Sequence, residues 1–310
     1  ESLIDTARNI GTYAAANLAL VRAQGTYVAR LDADDLSLPD RLALQAKFLD
    51  GHPQVGLLGS AWEFIDEQDR PVDRYETTPT RSEEIRWTLI FRNCIAHSSV
   101  MYRRALALTL GGYPPGRYGR DYDLWLRMAF VADVAQLPQI CVRYRVTRSG
   151  ITAKHPAERL AVWEELRGRI AAELLGRPAD DPLVSEFARQ CAAGARAPWE
   201  FDFSWFHWNL NFAHSLVEPF CARFGYGAEV RRRVTSLARD GAFWLVRWNE
   251  GSAPVWALKM HLLLVLHYGQ FKSLARLRPA LAKCALGSRG LWLAKSLRAR
   301  LGGAVPNRDP

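Results

Sequence analysis

The strongest constraint on this chain is a place where three carboxylates directly follow a segment typical of a β-strand. The segment 26–31 is short, contains β-branched and aromatic residues, and predicts a strand in a largely buried sheet. It is followed at once by Asp32, Asp34 and Asp35. In open α/β sheets ligands collect outside the carboxyl ends of strands, and clustered carboxylates repel one another unless a cation neutralises them. The stretch therefore predicts a ligand site at a strand end.

The spacing within this run suggests what the carboxylates bind. Asp32 and Asp34 stand two residues apart and can direct two hard oxygen ligands at one Mg²⁺ or Mn²⁺ ion. An EF-hand loop is excluded, because Leu36 and Ser37 stand where its acidic ligand and its glycine are required. An acidic turn that only caps the next helix explains an isolated D-x-D equally well. The S-x-x-D pattern that starts at Ser37 predicts such a helix, beginning at about that residue.

Composition narrows the protein class. The chain has 310 residues with 49% hydrophobic composition, which is enough for one large domain or two smaller ones. A net charge of +9 suggests a polyanionic neighbour. Five scattered cysteines without a C-x-x-C pair argue against a disulfide framework or a zinc site, and no apolar run reaches the length of a membrane span. We therefore expect a reduced, cytoplasmic protein; because the first residue is Glu1, we also expect an N-terminal truncation.

Segments typical of helices and strands alternate through the first half of the chain. Apolar residues at helical spacing follow Gly11, the range 55–65 predicts a strand, and 82–91 predicts a helix with two glutamates in its first turn. A short strand is predicted at 98–102. This alternation indicates an α/β fold.

A second acidic cluster follows a loop rich in Gly and Pro. Asp121 and Asp123 lie where a helix N-terminus favours negative charge, and capping alone explains one of them. If the fold brings this helix start to the first cluster, the two would supply a metal site and a general base. His97, beside two serines, has no acidic partner placed by sequence, so we interpret it as structural rather than as part of a nucleophilic site.

An ordered series of motifs resembles the inverting glycosyltransferases of family 2, which have the GT-A fold. The series covers roughly residues 8–152. It comprises A-A-A-N-L-A-L, A-Q-G-T-Y-V-A-R-L-D-A-D-D, S-L-P-D-R-L, H-P-Q-V-G-L-L-G-S, H-S-S-V-M-Y-R-R, G-G-Y, D-Y-D-L-W-L-R and V-R-Y-R. The resemblance implies a mixed α/β sheet flanked by helices, lacking its first strand or strands, as residues 1–152.

The resemblance also implies a role for each acidic residue. Asp32 and Asp34 match the D-x-D that holds Mg²⁺ or Mn²⁺ against the diphosphate of a nucleotide sugar, with Asp35 beside them. Asp121 matches the general base that removes a proton from the acceptor hydroxyl, and Asp123 is the second choice for that base. The implied reaction moves a sugar from a nucleotide sugar, first of all a UDP-sugar, to a glycan or lipid-linked acceptor.

The chain departs from the family pattern at three places. Arg120 stands where the family usually has Glu, and Thr147 stands where many members have a His that helps to bind the metal. The third departure is the expected absence of the first strand before Glu1. These departures leave open an alternative, a non-catalytic or degenerate domain that acts as a membrane-binding or partner-binding module.

Residues 153–310 are predicted to be an α-helical region, since helical periodicity replaces the alternation. Between residues 271 and 301 eight basic residues meet no acidic one, which favours peripheral contact with an anionic membrane at the inner leaflet. A solvated basic face packed on its own domain explains the pattern equally well. Nucleic-acid binding would explain the charge but not the order of the motifs, so we expect no nucleic-acid partner.

Overall fold

The computed structural model describes residues 4–75, 79–116, 118–147, 155–192 and 203–249. The chain divides into two compact units, Glu1–Ala192 and Ala193–Pro310. The strands are β1 (Tyr27–Ala29), β2 (Leu36–Ser37), β3 (Val55–Ile65), β4 (Pro71–Tyr75), β5 (Met101–Arg103) and β6 (Asp133–Arg145). The helices are α1 (Thr12–Arg22), α2 (Arg41–Gly51), α3 (Ser82–Phe91), α4 (Arg104–Thr109), α5 (Arg120–Val131), α6 (Pro156–Leu175), α7 (Pro182–Ala192), α8 (Phe203–Arg223) and α9 (Ala228–Asn249).

The first unit contains one mixed sheet with helices packed against it. The strand order is β1-β5-β3-β6-β2, and β4 pairs with β3 outside this path. β3 and β6 run parallel, whereas the other pairs are antiparallel. The predicted fold class, a mixed α/β sheet flanked by helices, is confirmed.

The core of this unit lies along the two long central strands. Nearly all of β3 is buried, and α2 packs against β3 and β6. The parallel register shifts near Pro138, between the pairs Ser60–Leu137 and Ala61–Ile140. Proline cannot donate to a strand ladder and is tolerated at such an irregularity. One apolar cluster joins α2 to the sheet and consists of Leu49, Val55, Leu58, Met101, Leu137 and Cys141.

The predicted elements at 55–65 and 82–91 match β3 and α3 at both ends. The predicted start of the next helix, at Ser37, is wrong. Ser37 lies in β2 and pairs with Val142, the next residue donates its N–H to the carbonyl of Cys141, and α2 begins only at Arg41. Backbone pairing with β6 therefore replaces the capping box at this position.

The second unit contains α8 and α9, which pack against each other. The packing division after Ala192 leaves α6 and α7 in the first unit. The boundary predicted at residue 152 concerns where the family resemblance ends, which is a different property, and it stays a prediction. Among the described residues no helix is long and apolar enough to cross a membrane. The basic segment 271–301 lies outside the described residues.

Candidate active site

The acidic run after β1 forms a tight turn that β6 holds in place. The N–H of Asp35 donates to the carbonyl oxygen of Asp32 at 3.2 Å, which closes the turn. The N–H of Arg145 donates to Asp35 Oδ1 at 2.8 Å, and its Nε donates to the carbonyl oxygen of Asp34 at 2.7 Å. The end of β6 therefore holds the backbone of the turn and the carboxylate of Asp35.

Asp32 is the most strongly held of the three. Its Oδ1 accepts from Arg30 Nη2 at 2.9 Å, its Oδ2 lies 3.0 Å from His97 Nδ1, and its N–H donates to Ser98 Oγ at 3.0 Å. Burial raises the pKa of Asp32, but the His97 hydrogen bond and the Arg30 charge outweigh it and hold the pKa below its ordinary value. Asp32 therefore stays ionised at neutral pH.

The contacts of His97 define its tautomer. Nε2 lies 3.2 Å from Arg30 Nε and 3.2 Å from the Tyr113 hydroxyl, and it accepts from Arg30 because a guanidinium can only donate. Nδ1 is then the protonated nitrogen and donates to Asp32. Sequence reasoning missed this acidic partner because Asp32 and His97 are 65 residues apart, but the contact agrees with the interpretation of His97 as structural.

Asp34 and Asp35 differ from Asp32 and from each other. Asp34 is exposed, and its carboxylate makes no hydrogen bond or ion pair within the described ranges. Asp35 is buried, and its Oδ2 has no hydrogen-bond partner among the described residues. Burial, together with the charges of the neighbouring carboxylates, raises the pKa of Asp35. The open carboxylate of Asp34 is thus the most accessible ligand in the turn.

The second acidic cluster lies at the start of α5. Asp121 Oδ1 accepts from the Tyr13 hydroxyl at 3.0 Å, and Oδ2 accepts from Asn93 Nδ2 at 3.3 Å. Burial raises the pKa of Tyr13 well above its ordinary value, and the negative charge of Asp121 adds to this rise. Tyr13 is therefore a neutral donor at any physiological pH.

The two acidic segments meet across a small group of aromatic rings. The Tyr13 ring lies 6.3 Å from the His97 ring and 5.5 Å from the Tyr113 ring, measured between centroids. Since His97 bonds Asp32 and Tyr13 bonds Asp121, one packed group connects both clusters. The convergence that sequence could not establish is therefore present in the fold.

Tyr113 is placed by a glycine turn. Gly112 has φ +68°, which favours glycine, and a Cβ on it would lie 2.4 Å from Asn17 Oδ1. That oxygen accepts the N–H of Tyr113 at 2.9 Å, while Asn17 Nδ2 donates to the Tyr113 carbonyl at 2.7 Å. The G-G-Y motif therefore shapes the loop and docks it on α1.

Two other charged residues of α5, Asp123 and Arg120, form ion pairs. Asp123 has a side chain only 3% exposed and pairs with Arg127 at 2.6 Å and Arg169 at 3.1 Å. Arg120 lies 3.5 Å from Glu165 on α6. Asp123 is thus buried and ion-paired with two arginines, whereas Asp121 is half-buried and accepts from two uncharged donors.

Residues 2–110 match the family model described as glycosyl transferase family 2. The chain contains a glycosyltransferase family 2 domain. The amylovoran biosynthesis glycosyltransferase AmsE of Erwinia amylovora is 32% identical over 144 residues, which cover 46% of this chain and 53% of that protein. The chain thus spans about half the length of the curated relatives it matches. The predicted family is confirmed.

Two solved structures resemble this chain, but more weakly than the sequence relatives do. TarS of S. aureus, in complex with UDP-GlcNAc, has a TM-score of 0.44 at 17% identity and covers 74% of this chain and 72% of that chain. The mannosyltransferase PcManGT from Pyrobaculum calidifontis, in complex with GDP-Man and Mn²⁺, has a TM-score of 0.40 at 17% identity and covers 86% and 70%. At these scores the likeness does not bear on individual site residues.

The acidic turn of the family 2 domain fits a divalent cation in part. The described residues contain no group of three His, Cys, Asp or Glu side chains that could hold a metal by themselves. Asp34 is open, and each oxygen of Asp32 keeps a second lone pair beside its present hydrogen bond. A cation that takes only one or two protein carboxylates and completes its shell with phosphate and water oxygens, as Mg²⁺ does, is therefore compatible with the turn.

Proposed function

We propose that the family 2 domain is a metal-dependent inverting glycosyltransferase. It would move a sugar from a nucleotide sugar, with a UDP-sugar as the first candidate, to a hydroxyl of a glycan or lipid-linked acceptor during the synthesis of a polysaccharide or glycoconjugate. The observation that carries the proposal is the meeting of the Asp32–Asp35 turn with Asp121 across Tyr13 and His97. The family match and the biosynthetic name of the Erwinia relative support it.

On the donor side, Asp34 and Asp32 would hold the cation, and Asp35 would lie beside them. A bound Mg²⁺ or Mn²⁺ supplies positive charge that stabilises the departing nucleoside diphosphate. Arg30 and His97 hold the Asp32 carboxylate in one orientation, and Arg145 holds the backbone of the turn. These contacts present the carboxylates with little reorganisation when the donor binds.

On the acceptor side, Asp121 would act as the general base. Its ionised carboxylate takes the proton of the acceptor hydroxyl while that oxygen forms a bond to the anomeric carbon. The bond from the anomeric carbon to the diphosphate breaks on the opposite face, and the electron pair leaves with the diphosphate. One displacement of this kind inverts the anomeric configuration. Both oxygens of Asp121 already accept one hydrogen bond, and each retains a lone pair for the proton.

The test is a transfer and donor-hydrolysis assay with UDP-sugars and GDP-sugars in the presence of Mn²⁺ or Mg²⁺. The chain is compared with Asp34→Ala and Asp121→Asn. We expect Mn²⁺-dependent turnover by the unmodified chain and a loss of about 100-fold or more in each variant, since each removes a group that acts on the reacting atoms. Activity that survives both substitutions would contradict the assignment of the site.

We further propose that the second unit brings the enzyme to an anionic lipid surface. The unit from residue 193 contains 17 basic and 7 acidic residues, so the whole positive balance of the chain is concentrated there. Within the described part, Arg231, Arg232 and Arg239 are exposed on α9. Each basic residue near an anionic surface contributes about 1 kcal/mol to attraction. Co-sedimentation that is no stronger with vesicles containing phosphatidylserine than with neutral vesicles would refute this proposal.

A further inference from the structure

We propose that Tyr13 and Asn93 are positioning residues that clamp Asp121 from two sides and hold its carboxylate in one orientation. The proposal rests on the proposed function, because it concerns the residue assigned there as general base. The two clamp residues come from different segments, the first turn of α1 and the loop after α3, and each bonds a different oxygen of Asp121. Two bonds from two directions fix the plane of a carboxylate as well as its position.

The orientation of each clamp residue is itself fixed. Asn93 Oδ1 accepts the N–H of Ile95 at 3.1 Å, so its amide nitrogen must face Asp121. The Tyr13 ring packs against the rings of His97 and Tyr113, which limits its rotation. Neither donor can turn away without losing a second contact.

The clamp has a measurable consequence for turnover. A general base acts only from within hydrogen-bond reach of the proton that it takes, so a carboxylate that is free to rotate spends less time in the productive orientation. Removing the Tyr13 hydroxyl should therefore lower kcat. A tyrosine that only filled space would leave kcat unchanged in the Phe variant.

The experiment compares Tyr13→Phe and Asn93→Leu with the unmodified full chain in the transfer assay. We expect kcat to fall about tenfold in each variant with the donor KM nearly unchanged, since each loses one of the two bonds that orient the base. The matched control is Tyr27→Phe, because Tyr27 makes a similar hydroxyl bond to Asp50 at 2.6 Å on another part of the molecule. The control should leave kcat where it is.

The side-chain amide resonance of Asn93 provides a second readout that does not depend on activity. Because Asn93 Nδ2 donates to Asp121 Oδ2, this NMR signal should shift in Asp121→Ala. If Asp121→Asn keeps full transfer activity, the proposed function fails, while the Asn93 resonance still decides whether the clamp exists. If kcat is unchanged in both Tyr13→Phe and Asn93→Leu, the clamp proposal is overturned. Should one variant fail to fold, the other gives the decisive kcat.

Discussion

Asp121 and Asp123 stand two residues apart on α5, and the structure predicts opposite consequences when each is replaced by Asn. Asp123 is almost fully buried between Arg127 and Arg169, so Asp123→Asn removes the negative member of a buried ion-pair network. Breaking a buried pair by removing one partner costs about 3 to 5 kcal/mol. Because Arg127 is 25% and Arg169 47% exposed, water can compensate part of this loss, and we expect about 2 to 3 kcal/mol.

A second consequence concerns the loop that carries Tyr113. Arg127 also donates to the carbonyls of Leu110 and Gly112, so loosening it should loosen that loop. Hydrogen exchange followed by mass spectrometry at increasing urea measures the stability of the first unit through peptides from β3 and α5. Asp123→Asn should lower the free energy of unfolding and leave the transfer rate of the folded fraction within about threefold.

Asp121→Asn should leave stability nearly unchanged but abolish most of the activity. Its free energy of unfolding should lie within about 1 kcal/mol of that of the unmodified chain, because Asn can still accept from Tyr13 through its amide oxygen. Its transfer rate should fall by about 100-fold or more, since the amide cannot take a proton. A fully folded Asp123→Asn protein that has lost transfer, together with an Asp121→Asn protein that retains it, would contradict these roles of the two aspartates.

Two further predictions concern the residues that hold the site. Arg41 is 2% exposed and donates to the carbonyls of Arg30 and Val100. Arg41→Met should therefore lower the free energy of unfolding by about 2 to 4 kcal/mol in the same exchange experiment. Its control, Lys47→Met on the exposed face of α2, should change this free energy by less than about 0.5 kcal/mol. Gly112 and Gly111 both have positive φ, +68° and +78° respectively, but only at Gly112 would an added methyl group meet Asn17. Gly112→Ala should therefore be more destabilising than Gly111→Ala, and equal losses in the two variants would contradict this steric explanation.

The sequence was sufficient for elements whose pattern is local. The range 55–65 is mostly apolar, with β-branched and aromatic residues, and it forms β3 with the predicted ends. The range 82–91 has an acidic first turn and helical periodicity, and it forms α3. In both segments the local sequence preference agrees with the burial found in the fold, so no tertiary contact changes the secondary structure that the sequence predicts.

Elements defined by distant partners were harder to predict. β6 carries Pro138 in its middle, which breaks the strand pattern, and it becomes one element because β3 pairs with it on both sides of the irregularity. The start of α2 was misplaced because β6 draws Ser37 into strand pairing, an influence that no residue near Ser37 reveals. Local capping signals were outweighed here by backbone hydrogen bonds to a strand about 100 residues away.

The same division applies to the site. Asp32, Asp34 and Asp121 were identified from motifs, but Arg30, Tyr13 and Asn93 were not, because a side chain that orients another residue has no motif of its own. His97 was noticed, but its acidic partner lies 65 residues away and was invisible to spacing arguments. Contacts across the fold bring the two acidic segments together.

We have proposed that the acidic turn binds the donor while Asp121 acts on the acceptor. Calorimetry can separate these two roles by measuring the binding of UDP and of GDP, each with and without Mn²⁺, to the unmodified chain, Asp34→Asn and Asp121→Asn. We expect Mn²⁺-dependent binding of at least one nucleotide that Asp34→Asn weakens by about tenfold or more and Asp121→Asn leaves nearly unchanged. Binding that is independent of Mn²⁺, or equally affected by the two substitutions, would contradict this proposal.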